Sequence, residues 1–220
     1  MLEFGNKVAV KICGITSIAD ALNCAAAGAD MLGLNFSPSS LRCITPETGA
    51  EVLGAARKEF PRLKFVGVFV DQEIRLVQKI MTDLALDAVQ LHGHETPEYV
   101  RDLEASSVIK ALRVSGTPDV SAYRGALILL DTFSPTAPGG TGETFPWSIA
   151  TELRSQVPQL ILAGGLTSAN VAEAIRTVRP CAVDVCSGVE SAPGRKDEAK
   201  VRAFISAVEE FYHEKTAIRA

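Results

Sequence analysis

The sequence predicts an α/β fold, a parallel eight-stranded sheet closed into a single (β/α)8 barrel, and three observations carry that expectation. Eight short aliphatic runs recur along the 220 residues, at 8–13, 31–36, 64–70, 87–92, 107–113, 126–131, 159–163 and 181–186. Each gap between them has room for one helix, the alternation that repeated βα units produce. The runs end on polar residues or glycine, as in barrels that build their active sites at the carboxyl ends of the strands. A chain of this length can bury about 70 per cent of its unfolded surface, enough for one large core. No linker interrupts the alternation, so residues 1–220 are expected to form one domain.

The first run ends on Cys13-Gly14, and Ile18, Leu22 and Ala25 after it predict a helix with one apolar face. The second ends on Asn35, with Arg42 on the loop beyond it. Thr45-Pro46-Glu47 then offers an N-cap hydroxyl, a proline at the first helical position and an early acid. The third run ends before Asp71. The fourth carries Gln90 and His92, and Thr96-Pro97-Glu98 repeats the helix-start chemistry after it. The fifth ends on Arg113 and is followed by a third such start, Thr117-Pro118-Asp119.

The sixth run ends on Asp131. The connection 132–146 that follows holds Gly139, Gly140 and Gly142 with Pro135, Pro138 and Pro146, too little apolar periodicity for a helix, and is expected to be a long lid or binding loop. Gly164-Gly165 follows the seventh run, ahead of a helix starting near Ser168. Asp184 lies in the eighth run and Ser187-Gly188 just after it, and Val201, Phe204, Ile205 and Val208 give the last helix its apolar face.

Composition narrows the function classes. Hydrophobic residues make up 47% and charged residues 22%, as in ordinary globular proteins. A net charge of -4 without any Lys/Arg run argues against a nucleic-acid partner. No apolar stretch reaches signal-peptide or bilayer-spanning length, so a cytoplasmic protein with no membrane partner is expected. Five cysteines with no CxxC pair suggest reduced thiols rather than disulfides or structural zinc. His92 and His94 form an HxH pair, but only His213 remains as a further histidine and a catalytic metal needs about three protein ligands, so no metal is expected.

The chemistry concentrates at the strand ends. Gly164-Gly165 and Ser187-Gly188 fall after strands seven and eight, the recurrent phosphate site of such barrels, where glycine lets backbone N–H groups approach an anion. Cys13 is either a small buried hydrophobe or, given its strand-end position beside Gly14, a thiol that ionises and accepts a proton. Cys24, Cys43, Cys181 and Cys186 are read as structural. Asp131 closes an apolar run that carries its carboxyl into the barrel mouth, where partial desolvation suits a general acid. Arg42 can clamp a carboxylate in a bidentate pair. His92 and Asp184, at the same end of the barrel, are the other expected substrate contacts.

Read in order, these segments resemble one family. The matching stretches are Val10-Lys11-Ile12-Cys13-Gly14-Ile15-Thr16, then Ser40, Arg42 and Thr45-Pro46-Glu47, and Ala88-Val89-Gln90-Leu91-His92-Gly93. They continue with Ala163-Gly164-Gly165-Leu166-Thr167 and with Val183-Asp184-Val185, Ser187-Gly188-Val189-Glu190, Pro193-Gly194 and Lys196-Asp197. Together they are similar to the phosphoribosylanthranilate isomerases, TIM-barrel enzymes of tryptophan biosynthesis. The resemblance implies a cofactor-free Amadori rearrangement of a phosphorylated aminoaldose to an aminoketose. It also implies an acid at Asp131, a base at Cys13, an anthranilate-carboxylate contact at Arg42, and phosphate loops at Gly164, Gly165, Ser187 and Gly188. The chain departs from the common pattern at Leu41, Cys43, Glu143, Pro146 and Cys186. A metal-dependent phosphosugar epimerase and a non-catalytic phosphosugar sensor are the rival readings, and a monomer is the expected assembly.

Overall fold

The computed structural model describes residues 2, 4–5, 7–105, 107–114, 117–132 and 146–217, with side chains as far as Phe211. Eight parallel strands close in chain order: β1 (Ala9–Cys13), β2 (Met31–Asn35), β3 (Lys64–Phe69), β4 (Ala88–Leu91), β5 (Val108–Val114), β6 (Leu127–Thr132), β7 (Leu160–Leu162) and β8 (Ala182–Val185). β8 pairs back onto β1, with Lys11 opposite Asp184 and Ile12 opposite Val185. All eight aliphatic runs are therefore strands, buried on both faces as parallel strands must be.

Alternation along the strands sorts the core into two shells. Side chains of one parity, among them Met31, Val66, Ala88, Ile109, Ala111, Leu127, Leu129, Ile161 and Ala182, form a small apolar cluster inside the barrel. The opposite parity, such as Ile12, Leu32, Phe65, Val89, Ile128 and Val183, packs outward against the helices. The inward rows start apolar and end polar: Leu127, Leu129, then Asp131; Ile109, Ala111, then Arg113; Ala182, then Asp184. A period of two thus delivers each strand-end polar group to one mouth.

Seven α-helices lie among the described residues: α1 (Ile18–Ala27), α2 (Pro46–Glu59), α3 (Ile74–Asp83), α4 (Pro97–Asp102), α5 (Trp147–Arg154), α6 (Val171–Val178) and α7 (Glu198–Ala217). Thr45 and Thr96 act as the N-caps expected of them, accepting from Thr48 N at 3.2 Å and Tyr99 N at 3.3 Å. Val201, Phe204, Ile205 and Val208 are the buried face of α7, as its spacing requires.

Three expectations change. Thr117-Pro118-Asp119 does not open an α-helix. The Asp119 carboxylate instead accepts from the backbone N and hydroxyl of Ser121, which leads into a 3-10 turn at Ser121–Tyr123, and Gly125 at φ 93° ends the segment before a second turn can form. In α1 the buried face is Ala21, Cys24 and Ala25, while Ile18, in the first turn behind the Ser17 cap, stands exposed, so small side chains make the contact with the barrel. α6 starts at Val171 rather than near Ser168, because Asn170 accepts from Thr167 N at 2.8 Å and donates to Gly165 O at 3.0 Å, holding the preceding residues as a turn. The connection expected as a lid lies, from 133 to 145, outside the described residues.

A feature with no sequence signal follows β8: a 3-10 turn (Ser187–Val189) leads into a two-stranded antiparallel ribbon, β9 (Glu190–Ala192) and β10 (Arg195–Lys196). Thr16 fastens the ribbon to the loop after β1 by donating to Gly194 O at 2.5 Å. Strands this short carry no usable periodicity. No helix among the described residues is long and apolar enough to cross a membrane.

Candidate active site

One pocket at the carboxyl end of the barrel is lined by every residue singled out as a site candidate: Cys13, Arg42, His92, Asp131, Gly164, Gly165, Asp184, Ser187 and Gly188. Asn35, Gln90, Arg113 and Cys186 complete its polar wall. Strand polarity brings them together, since each sits near the carboxyl end of its strand or, like Arg42, on the loop that follows it.

Asp131 is buried, and both its oxygens are oriented. Oδ1 accepts from Thr132 N at 2.8 Å, and Oδ2 lies 3.1 Å from His92 Nε2. His92 Nδ1 is 3.0 Å from Gln90 Nε2. With the amide donating, the imidazole carries its proton on Nε2 and gives it to Asp131. His92 therefore spends both ring nitrogens on protein partners, and its first effect in this geometry is to aim Asp131.

The loop bearing His92 is pinned from behind. Lys110, on the outward parity of β5, donates to Gly93 O at 2.7 Å and to Glu95 Oε2 at 2.7 Å, in an ion pair whose side chains are 2% and 1% exposed. Glu95 in turn accepts from Asp71 N and Gly93 N. His94 turns away from the pocket to Asp71, with Nδ1 3.0 Å from its carboxylate. Among the described residues no group of three or more His, Cys, Asp or Glu side chains could hold a metal ion.

Cys13 faces the pocket beside the fully buried Lys11, whose Nζ donates to both Asp184 oxygens at 2.9 Å. Gly33 on β2 makes the room: a Cβ there would come within 2.7 Å of Cys13 Sγ and 3.0 Å of Lys11 Nζ. Burial pushes the Cys13 thiol above its ordinary value, and the Lys11 ammonium pulls it back down without cancelling the effect. The unliganded pocket thus holds Cys13 as a neutral thiol near pH 7. Burial likewise drags at the Lys11 ammonium, but Asp184 and Cys13 more than reverse it and keep the charge on.

Arg42 is already half engaged. Its Nη2 donates to Glu190 Oε2 at 2.6 Å and its Nε to Glu190 Oε1 at 3.3 Å, a side-on bidentate pair. That leaves Nη1 and the outer hydrogen of Nη2 without a protein partner among the described residues. Glu190 also accepts from Lys196 Nζ at 2.9 Å. Its burial works against ionisation, but Arg42 and Lys196 prevail and hold the carboxyl below its ordinary value. Cys186, read from sequence as structural, is part of the pocket wall, with its thiol pushed up to about 12 by burial. Arg113 Nε and Gln90 Oε1 are buried with no partner among the described residues, polar atoms left for a ligand.

The two glycine loops touch. A Cβ on Gly188 would come within 2.0 Å of Leu166 O, and one on Gly164, at φ 86°, within 2.2 Å of Thr132 Oγ1. Only glycine fits at either position.

A sequence model of N-(5'phosphoribosyl)anthranilate (PRA) isomerase matches residues 10–207. The chain belongs to the PRA isomerase family. It is 48% identical over 206 residues to the N-(5'-phosphoribosyl)anthranilate isomerase of Trichlorobacter lovleyi, an alignment covering 92% of this chain and 98% of that one. The crystal structure of the Thermotoga maritima PRA isomerase superposes with a TM-score of 0.86 at 42% identity, over 92% of this chain and 99% of that one. A further PRA isomerase, solved in complex with reduced 1-(o-carboxyphenylamino)-1-deoxyribulose 5-phosphate, superposes with a TM-score of 0.82 at 40% identity, over the same shares. As a PRA isomerase, the chain is an enzyme of tryptophan biosynthesis with a phosphosugar substrate.

Of the residues that sequence reading passed over, Glu190 and Lys196 were visible only as parts of a family motif, and Lys110 and Glu95 not at all. Each acts through a partner on another element of the fold.

Proposed function

We propose that this pocket isomerises N-(5'-phosphoribosyl)anthranilate by general acid–base catalysis, with Asp131 as the acid, Cys13 as the base and one barrel supplying every group. The observation that carries the reading is that Cys13 and Asp131 line the same pocket, Cys13 beside the buried Lys11 and Asp131 against His92, with the two glycine loops in the same wall.

The 5-phosphate lies against the backbone of Gly164, Gly165, Ser187 and Gly188, where N–H groups approach it without side-chain obstruction. The anthranilate carboxylate takes the free edge of Arg42, whose other edge Glu190 occupies. Asp131, aimed by His92 and carrying a proton taken up from solvent, donates it to the ribose ring oxygen; the C1–O bond breaks and the nitrogen lone pair forms a protonated Schiff base with C1. Cys13 then removes the C2 proton, the C–H electron pair moves toward the nitrogen, and the resulting enolamine tautomerises to the ketone. The cation created on the Schiff base favours ionisation of the thiol, whose proton leaves to solvent before the thiolate takes the one on C2. Asp184 supports this step through Lys11. The reaction proceeds in the cytoplasm, where the five thiols stay reduced, and the working unit is a monomer, checked by light scattering.

Cys13→Ser and Asp131→Asn are each expected to lower kcat by about 100- to 10,000-fold with unchanged circular dichroism, in a fluorescence assay of substrate consumption without added metal or cofactor. Near-wild-type turnover in either variant removes that residue from the mechanism.

A further inference from the structure

We propose that Lys11 is a positioning residue of the reaction: held by Asp184, its buried ammonium fixes the Cys13 sulfur and stabilises the thiolate that takes the substrate proton. The proposal rests on the reading of Cys13 as the base.

Lys11 and Cys13 are two apart on β1, so both point into the barrel. Asp184 is the register partner of Lys11 across β8, and Gly33 is the register partner of Cys13 across β2. The ammonium is thus fixed between a carboxylate on one side and a thiol on the other, at 0% exposure. Lysine has three N–H donors. Asp184 takes two at 2.9 Å each, leaving the third for the neighbouring sulfur. The notch at Gly33, where a methyl group would strike both Sγ and Nζ, is what lets the two groups meet.

Energetics argue against a purely structural purpose. A buried ion pair is commonly no more stabilising than apolar residues of the same volume, and the barrel interior below Lys11 is built of such residues. The charges facing Cys13 come from several elements. Lys11 on β1 favours the thiolate most, with Lys196 on β10 and Arg42 after β2 adding to it, while Asp184 on β8 and the Cys186 thiol, when ionised, oppose it. Lys11 is therefore the residue whose removal most disfavours the base.

The test uses the full chain and three variants: Lys11→Met, the charge-balanced double variant Lys11→Met/Asp184→Asn, and Asp184→Asn. Cys13 carboxamidomethylation by iodoacetamide is followed against pH by peptide mass spectrometry, with exposed Cys43 as the internal control. In the double variant the Cys13 midpoint is expected to rise by about one pH unit, so that alkylation near neutrality slows about tenfold while Cys43 is unchanged. Its kcat falls with little change in KM, and the deficit shrinks as pH rises. Asp184→Asn, which removes the opposing charge, moves the midpoint down instead. A folded double variant whose Cys13 profile overlays the wild type, or a kcat loss equal at every pH, overturns the proposal; so does an upward shift in Asp184→Asn. If Lys11→Met and the double variant do not fold, the direction of the Asp184→Asn shift decides alone. Activity retained in Cys13→Ser would instead sink the assignment of the base, which the alkylation profiles do not depend on.

Discussion

Arg42 and Glu190 form a bidentate ion pair, Nη2 to Oε2 at 2.6 Å and Nε to Oε1 at 3.3 Å, with side chains only 14% and 4% exposed. The pair ties the loop after β2 to the ribbon after β8. It also decides which edge of the guanidinium faces a ligand. Glu190 orients Arg42 from behind and leaves its other edge facing the pocket.

Glu190 should therefore govern stability at acid pH. Its folded value is depressed below the ordinary 4.5, so its contribution is complete above that pH and is lost as pH falls through the folded value. Glu190→Gln leaves Arg42 and Lys196 facing each other without a counter-charge. We expect a protein less stable than wild type at pH 7, with a flatter loss of stability below pH about 4.5, measured as thermal midpoint against pH. Parallel curves for the two proteins would contradict this.

Lys110 holds the His92 loop through a pair that is almost fully buried. Removing one partner of such a pair costs about 3–5 kcal/mol, so Lys110→Met should lower the thermal midpoint by roughly 6–20 °C. Adding Glu95→Gln should recover part of the loss by removing the stranded carboxylate. A double variant no more stable than the single one would show that the carboxylate was not the liability.

Gly188 tests the contact between the two glycine loops and the proposal that they hold the 5-phosphate. In Gly188→Ala the methyl group meets the Leu166 carbonyl, a backbone atom that cannot turn aside, and the loops must separate. Substrate KM should rise, about tenfold for each 1.4 kcal/mol of lost binding, while kcat at saturation changes less because Cys13 and Asp131 stay in place. An unchanged KM in steady-state kinetics would move the phosphate elsewhere.

The eight strands were legible because each is a short apolar run with turn chemistry on both sides, and the fold then assigns every run end to one mouth. That step alone collected Cys13, Arg42, Asp131 and Asp184. The missing α-helix after β5 was not legible, since Thr117-Pro118-Asp119 has the same chemistry as the two true caps, and Gly125 with the Asp119 turn decides the outcome locally. Nor was the ribbon, whose strands of three and two residues are too short for any pattern.

The sequence by itself determined which residues reach the pocket, because strand polarity and a period of two are properties of the local chain. Only the tertiary structure decided what each of them does there. Lys11 meets Asp184 across 173 positions and Arg42 meets Glu190 across 148, while Lys110 finds Glu95 by reaching from one strand to the loop before it. Those charges are stable inside the protein only as pairs, and pairing depends on register around a closed sheet, which no local stretch of sequence records.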